Sequence, residues 1–160
     1  MPVASAQVKS AILLAGLYLD GETKVFENFA TRNHTEKMLG CNVVFEDGKK
    51  IITVSRRNYP EAKEYVIPSD ISTASFFIVL TLLAKNSELL LKDVSLNSSR
   101  TGILQILKSM GGDINFENER VVAGEELGDI IIKSSQLKNI EIDKKIIPNI
   151  IDEIPILTIA

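Results

Sequence analysis

The chain has no tryptophan, one cysteine (Cys41) and one histidine (His34). A lone cysteine cannot close an internal disulfide, and with a lone histidine it cannot assemble a metal site of Cys/His spacing. These absences exclude a disulfide-stapled scaffold and fit a reducing cytoplasm, where the protein is expected. Positive charge is not in surplus either: 18 Lys and Arg stand against 21 Asp and Glu, a net charge of −3. No basic stripe follows a nucleic-acid backbone, so nucleic acid is not an expected partner. Apolar runs stay shorter than the roughly 18 residues of a membrane span, and no membrane association is expected. SAILLAGLYL, residues 10–19, has the outline of a secretory apolar region behind Lys9. DGET follows where small cleavage-site residues belong, however, so the stretch reads as a core helix. At 160 residues, 45% hydrophobic and 24% charged, the chain has material for one globular domain or two small ones.

What is present is a repeat. Residues 5–19 open on Ser5 as a helix cap and are apolar on nearly every side, and residues 70–84 do the same behind Asp70. Both helices are expected to be buried all round. A strand-like TKVFEN follows the first and ELLLKDV the second. Each is followed by an arginine before an amphipathic helix: Arg32 in TRNHTEKML and Arg100 in SSRTGILQILKSMGG, with Gly111 as the C-terminal cap. Hairpins close both units, the first turning at Asp47-Gly48 and the second expected to turn at Asn118-Glu119. A third copy begins at IIPNIIDEIPILTIA, where Asp152 is placed as the cap of another apolar helix and Pro155 falls in its first turn. The fold class is therefore α+β, with repeated helix-strand-helix-hairpin units, buried helices and outer mixed sheets.

The polar cluster ATRNHTEKMLG, residues 30–40, invites a chemical reading. Asn33 and Glu36 have capping-box spacing, so a helix is expected to start there. Its free N–H groups carry about half a positive charge, and Arg32 just upstream adds a whole one, which suits an anion. A capped surface helix with a solvated arginine is the plainer alternative. His34 is read as a helix-start residue, Arg100 as a support of the second unit with ligand binding left open, and Cys41 as a small buried side chain. Lys49 and Lys50 are assigned to a solvated turn, and Lys144 and Lys145 to a surface charge pair.

Five segments, PVASAQVKSAILLAGL, TRNHTE, YVIPSDISTASFF, NSSRTGILQILKSMGG and IPNIIDEIP, occur in an order that resembles the enolpyruvyl transferases, in particular the branch acting on shikimate 3-phosphate. The resemblance runs along all 160 residues but corresponds to only the middle of such an enzyme, so the fold is expected to be incomplete. It implies that Ser5, Ala6, Gln7, Thr31 and Arg32 hold shikimate 3-phosphate, with Gln7 between the two substrates. It implies that Asp152 contacts the ring hydroxyl and acts as general base when the 5-hydroxyl adds to C2 of phosphoenolpyruvate. Thr31 stands where the family usually has serine and Asn33 where it usually has aspartate; each replacement keeps the relevant chemistry. The resemblance also places a domain boundary near Pro68, so that residues 1–67 are the last unit of one domain. Residues 68–160 are then the first unit of the next domain plus the start of another unit.

The family's lysine that meets both substrates, its phosphoenolpyruvate-clamping arginines and its later lysine and glutamate have no counterpart here. Read with Met1-Pro2 at the start and Ala160 at the end, the chain is expected to be an excised piece that does not catalyse alone and that self-associates through uncovered apolar helices. Two other classes stay open: a sister transferase acting on a UDP-sugar, or an RNA-end cyclase sharing the unit; and a non-catalytic binding module of the same fold.

Overall fold

The computed structural model of the protein describes residues 4–62 and 64–160, and for Lys145 the backbone alone. The chain divides into two compact units, Met1–Tyr65 with Ala123–Glu125, and Val66–Val122 with Glu126–Ala160. Each is an instance of the repeat seen in the sequence.

In the first unit, α1 (Ala6–Gly16) starts where the Ser5 side chain accepts a hydrogen bond from the Val8 N–H. A hydroxyl at this position satisfies one of the N–H groups that a helix start leaves unpaired. β1 (Thr23–Glu27), α2 (His34–Leu39), β2 (Asn42–Glu46) and β3 (Lys49–Val54) follow, and the sheet order is β1-β3-β2, antiparallel throughout. The β2–β3 hairpin turns at Asp47 and Gly48, with φ of 48° and 72°. Two successive positive φ values match the twist of the flanking strands, as the Asp-Gly pair predicts. Leu13 and Leu17 of α1 pack with Val25, Leu39, Ile52 and Val54 to form the core, and half-buried Cys41 lies against it.

The second unit repeats the order with α3 (Ile71–Leu83), β4 (Glu88–Ser95), α4 (Gly102–Ser109), β5 (Asp113–Val122) and β6 (Glu125–Lys133), in a sheet ordered β4-β6-β5. Asp70 caps α3 through the Thr73 N–H at 2.9 Å. α4 closes as expected near Gly111: the Gly111 N–H donates to Lys108 O and the Gly112 N–H to Leu107 O, with Gly111 at φ 100°. This pair of hydrogen bonds to the last turn is the left-handed stop that favours glycine. A short 3-10 turn (Lys144–Asn149) leads to α5 (Ile154–Leu157), with Pro155 in its first turn. Where mixed sheets were expected, the β1–β3, β2–β3 and β4–β6 pairs are antiparallel, and among the described residues one isolated parallel bridge joins Ser69 to Val94. The α+β class and the repeated unit are those read from the sequence.

Four local expectations are corrected. The second hairpin turns at Ala123-Gly124 (φ 51° and 87°), not at Asn118-Glu119; Asn118 has φ 52° inside β5, and its amide donates to Asp129 at 2.8 Å. An asparagine at positive φ therefore marked a strand irregularity here and not a turn. Asp152 is not at the cap of α5: the cap position is Glu153, whose side chain makes no cap hydrogen bond. Asn33 occupies the cap of α2 without a side-chain cap bond, because the capping-box partner Glu36 turns inward to two lysines. Finally, the helices are not buried all round. Val8 and Leu14 of α1, and Phe76, Phe77, Leu80 and Leu83 of α3, are exposed. A single three-stranded sheet covers only one face of the helix laid on it.

Candidate functional site

Of the predicted ligand residues of the first unit, Thr31 contacts a buried charge group, and Ser5, Ala6 and Gln7 precede its Lys9 on the first turn of α1. Ser5, Ala6 and Gln7 form the start of α1; Ser5 Oγ lies 3.3 Å from the Val8 N–H, which donates to it, and 3.4 Å from Gln7 Oε1. One turn on, Lys9 is fully buried, its ammonium 3.1 Å from Glu27 Oε1 at the end of β1 and 2.8 Å from Glu36 Oε1 on α2. Lys50 of β3 completes the group, 2.9 Å from Glu36 and 3.5 Å from Glu27. The assignment of Lys50 to a solvated turn is thus corrected: its side chain is only 11% exposed. Two lysines and two glutamates leave this quartet neutral, as buried charges must be if they are to remain ionised.

Thr31 joins this quartet directly. Its hydroxyl donates to Glu27 Oε1 at 2.5 Å, so the segment leading to Arg32 is tied to the end of β1. Ser10 and Thr35 form a second link between α1 and α2, with hydroxyl oxygens 2.7 Å apart. The first turns of α1 and the segment carrying Thr31 and half-buried Arg32 therefore flank one network. Because α2 has only six residues, the charge in that segment resides on the Arg32 guanidinium and not on a long helix dipole.

Burial alone would push the Glu36 carboxyl upward. Hydrogen bonds from Lys9, Lys50 and its own backbone outweigh this and hold it below the ordinary value of 4.5. Glu36 Oε2 is buried without a hydrogen-bond partner. Burial and, secondarily, the Glu36 charge push the Cys41 thiol up to about 11. Among the described residues no group of three or more His, Cys, Asp or Glu is placed to hold a metal ion, and no helix is long and apolar enough to cross a membrane.

Asp152 belongs to the second unit and is half exposed, 3.5 Å from Arg100 Nη1. The other guanidinium nitrogen of Arg100 donates to Asp70 Oδ1 at 3.1 Å and to Ser72 Oγ at 2.6 Å, and Ser72 in turn donates to Glu153. Arg100 thus joins the start of α3 to the residues preceding α5, the structural role read for it. Desolvation raises the Asp70 carboxyl, but bonds from Thr73, the Arg100 charge and the Ser72 backbone bring it below its ordinary value.

The quartet of Lys9, Glu27, Glu36 and Lys50 was not read from the sequence, although a signal existed. A lysine inside an otherwise apolar helix needs an acidic partner, and strand alternation puts Glu27 on the same face as the buried Val25.

The profile of the EPSP synthase (3-phosphoshikimate 1-carboxyvinyltransferase) family matches residues 1–160. The chain is 53% identical over 162 residues to the 3-phosphoshikimate 1-carboxyvinyltransferase of Petrotoga mobilis, with 99% of this chain and 37% of the relative covered. It is 49% identical to that of Salinibacter ruber, with 100% and 37% covered. Among solved structures, EPSP synthase from Acinetobacter baumannii matches with a TM-score of 0.83 at 44% identity, over 99% of this chain and 36% of that one. The chain spans a little over a third of the length of these relatives. On this match along its whole length, the chain belongs to the EPSP synthase family.

Proposed function

We propose that the chain supplies part of an enzyme that transfers the enolpyruvyl group of phosphoenolpyruvate to the 5-hydroxyl of shikimate 3-phosphate, a step of aromatic amino-acid biosynthesis. Residues 1–67 would close one domain of that enzyme and residues 68–160 open the next, with no cofactor required. In this reading Ser5, Ala6, Gln7, Thr31 and Arg32 hold shikimate 3-phosphate. Hydroxyls, helix-start N–H groups and a guanidinium make charge-assisted bonds to phosphate oxygens worth about 1.5–3 kcal/mol each. Since the Thr31 hydroxyl donates to Glu27, it must turn to donate to phosphate, or its backbone N–H must serve.

Asp152 is the general base. It takes the proton of the 5-hydroxyl as that oxygen adds to C2 of phosphoenolpyruvate, and phosphate then leaves from the tetrahedral intermediate. Such a base contributes about 10² to 10⁴ in rate when it sits within hydrogen-bond reach of the proton. The groups that clamp phosphoenolpyruvate lie outside the 160 residues, so this chain alone is inactive and the activity belongs to the longer enzyme. With Phe76, Phe77, Leu80 and Leu83 in water, the chain by itself associates with a second copy.

The observation that carries the reading is the family match along residues 1–160, with the segments bearing Ser5–Gln7 and Thr31–Arg32 set around one network in the first unit. It is tested by calorimetry with shikimate 3-phosphate on an enzyme of its relatives' length that contains this chain. Arg32→Ala should weaken binding about 10- to 150-fold, the loss of one charge-assisted contact. Asp152→Asn should lower kcat about 10² to 10⁴-fold with little change in affinity. Unchanged affinity in Arg32→Ala would remove the proposed phosphate site.

A further inference from the structure

The two units make the same fold with different interiors, and the difference sits under the Thr31–Arg32 segment. Lys9 is the fourth residue after the cap Ser5, and its counterpart after the cap Asp70 is Ala74. Glu27 ends β1, as Ser95 ends β4. Glu36 is the third residue of α2, and Leu104 the third of α4. Lys50 faces Glu27 across the sheet, and Leu127 faces Ser95. Where the first unit has Lys, Glu, Glu and Lys, the second therefore has Ala, Ser, Leu and Leu, all four buried.

The second unit is in effect an internal control. It shows that this arrangement of helices and sheet closes around small and apolar side chains, so the fold as such does not need the ions. Replacing a buried ion group by well-packed apolar residues is commonly neutral or stabilising, so the quartet is weak evidence for stability. The two units tie the segment before the arginine differently: Ser99 donates from its N–H and its hydroxyl to Asn97 Oδ1 within its own segment, whereas Glu27, held by Lys9 and Lys50, receives the Thr31 hydroxyl and so ties that segment to the quartet.

From this we infer that Lys9, Glu27, Glu36 and Lys50 are positioning residues for the phosphate site. They hold the 28–33 segment through the Glu27–Thr31 bond, so that Arg32 is set for an anion before the ligand arrives. Preorganisation of this kind raises affinity by lowering the ordering that binding must otherwise impose. The inference rests on the reading of Arg32 as a phosphate ligand.

The test uses the enzyme of its relatives' length containing this chain, with shikimate 3-phosphate as the probe. The unit-to-unit graft, Lys9→Ala with Glu27→Ser, Glu36→Leu and Lys50→Leu, should still unfold cooperatively but bind at least 10-fold more weakly. A folded graft that binds within twofold of the parent overturns the inference, and a graft that cannot fold overturns the claim that the fold does not need the ions. Glu27→Gln, which keeps the side chain's shape, gives an independent arm. Alone it should weaken binding at least 5-fold, and in an Arg32→Ala background it should add nothing, because it acts through Arg32. An equal loss in both backgrounds refutes positioning. Hydrogen exchange of the 28–33 amides in Glu27→Gln separates the tether from the phosphate site. Exchange at least 10-fold faster supports the tether even if Arg32→Ala leaves affinity unchanged and the phosphate reading fails; unchanged exchange refutes the tether whatever Arg32→Ala does.

Discussion

The Lys9 ammonium lies 2.8 Å from Glu36 Oε1, and the two side chains are 0% and 3% exposed. A charge pair so placed has exchanged hydration for the partner, and removal of one member strands the other. Lys9→Met leaves Glu27 and Glu36 with Lys50 alone. We expect a loss of about 3–5 kcal/mol, measured by urea unfolding. The fourfold graft should lose less than this single substitution, since it strands no charge.

Stability should fall in acid. Glu36 and Asp70 both titrate below their ordinary values of 4.5 and 3.8 in the folded state. A carboxylate with a lowered folded pKa adds stability above its unfolded value, and this is lost as pH falls through the folded value. Urea midpoints should be level above about pH 5 and decline below it. Glu36→Gln should lower the level but make the acid decline shallower; an unchanged slope would show that Glu36 is not one of the groups responsible.

Cys41 should be a poor nucleophile. With its thiol pushed up to about 11 by burial and by the Glu36 charge, little thiolate exists at neutral pH. At pH 8 alkylation of the folded protein should be about 10²-fold slower than that of a free cysteine. The rate should keep rising with pH through 9 and 10, whereas a plateau below 9 would contradict the assignment.

A methyl group at Gly16 has no room. A Cβ there would stand 2.8 Å from Val54 Cγ1 and 2.9 Å from Thr23 Oγ1. Gly16→Ala should destabilise by about 1–3 kcal/mol, the usual range for overpacking. Val54→Ala should recover part of that loss in the double variant, which a thermodynamic cycle from urea unfolding would detect.

The exposed side of α3 should govern association of the isolated chain. Phe77 and Leu80 are 52% and 64% exposed and adjacent to other apolar groups. The chain should sediment as a dimer or larger and bind an apolar dye. Phe77→Asp with Leu80→Asp should shift it toward monomer; a monodisperse monomer before any substitution would show that this face needs no cover.

The caps at Ser5 and Asp70, the Asp47-Gly48 turn and the glycine stop at Gly111 were legible in the sequence. Each is settled within four or five residues by hydrogen bonds that a chain segment makes to itself. The repeated unit was legible too, from the recurring order of capped apolar helix, strand, arginine-led helix and hairpin, although which faces of the apolar helices are covered was not. Asn118, Asp152 and Asn33 carried the same local signals yet do something else, because each signal met a nonlocal competitor. Asn118 bonds Asp129 eleven residues on, Asp152 pairs with Arg100, and the Glu36 partner of Asn33 is drawn to Lys9 and Lys50.

The order of helices and strands was thus determined by the sequence itself. Only tertiary structure decided that four charged side chains distant in the chain share one buried cluster that receives the Thr31 hydroxyl. A buried ion is tolerable only when its counterion arrives at hydrogen-bond distance, and that arrival depends on how α1, α2 and the β1–β3 sheet pack together.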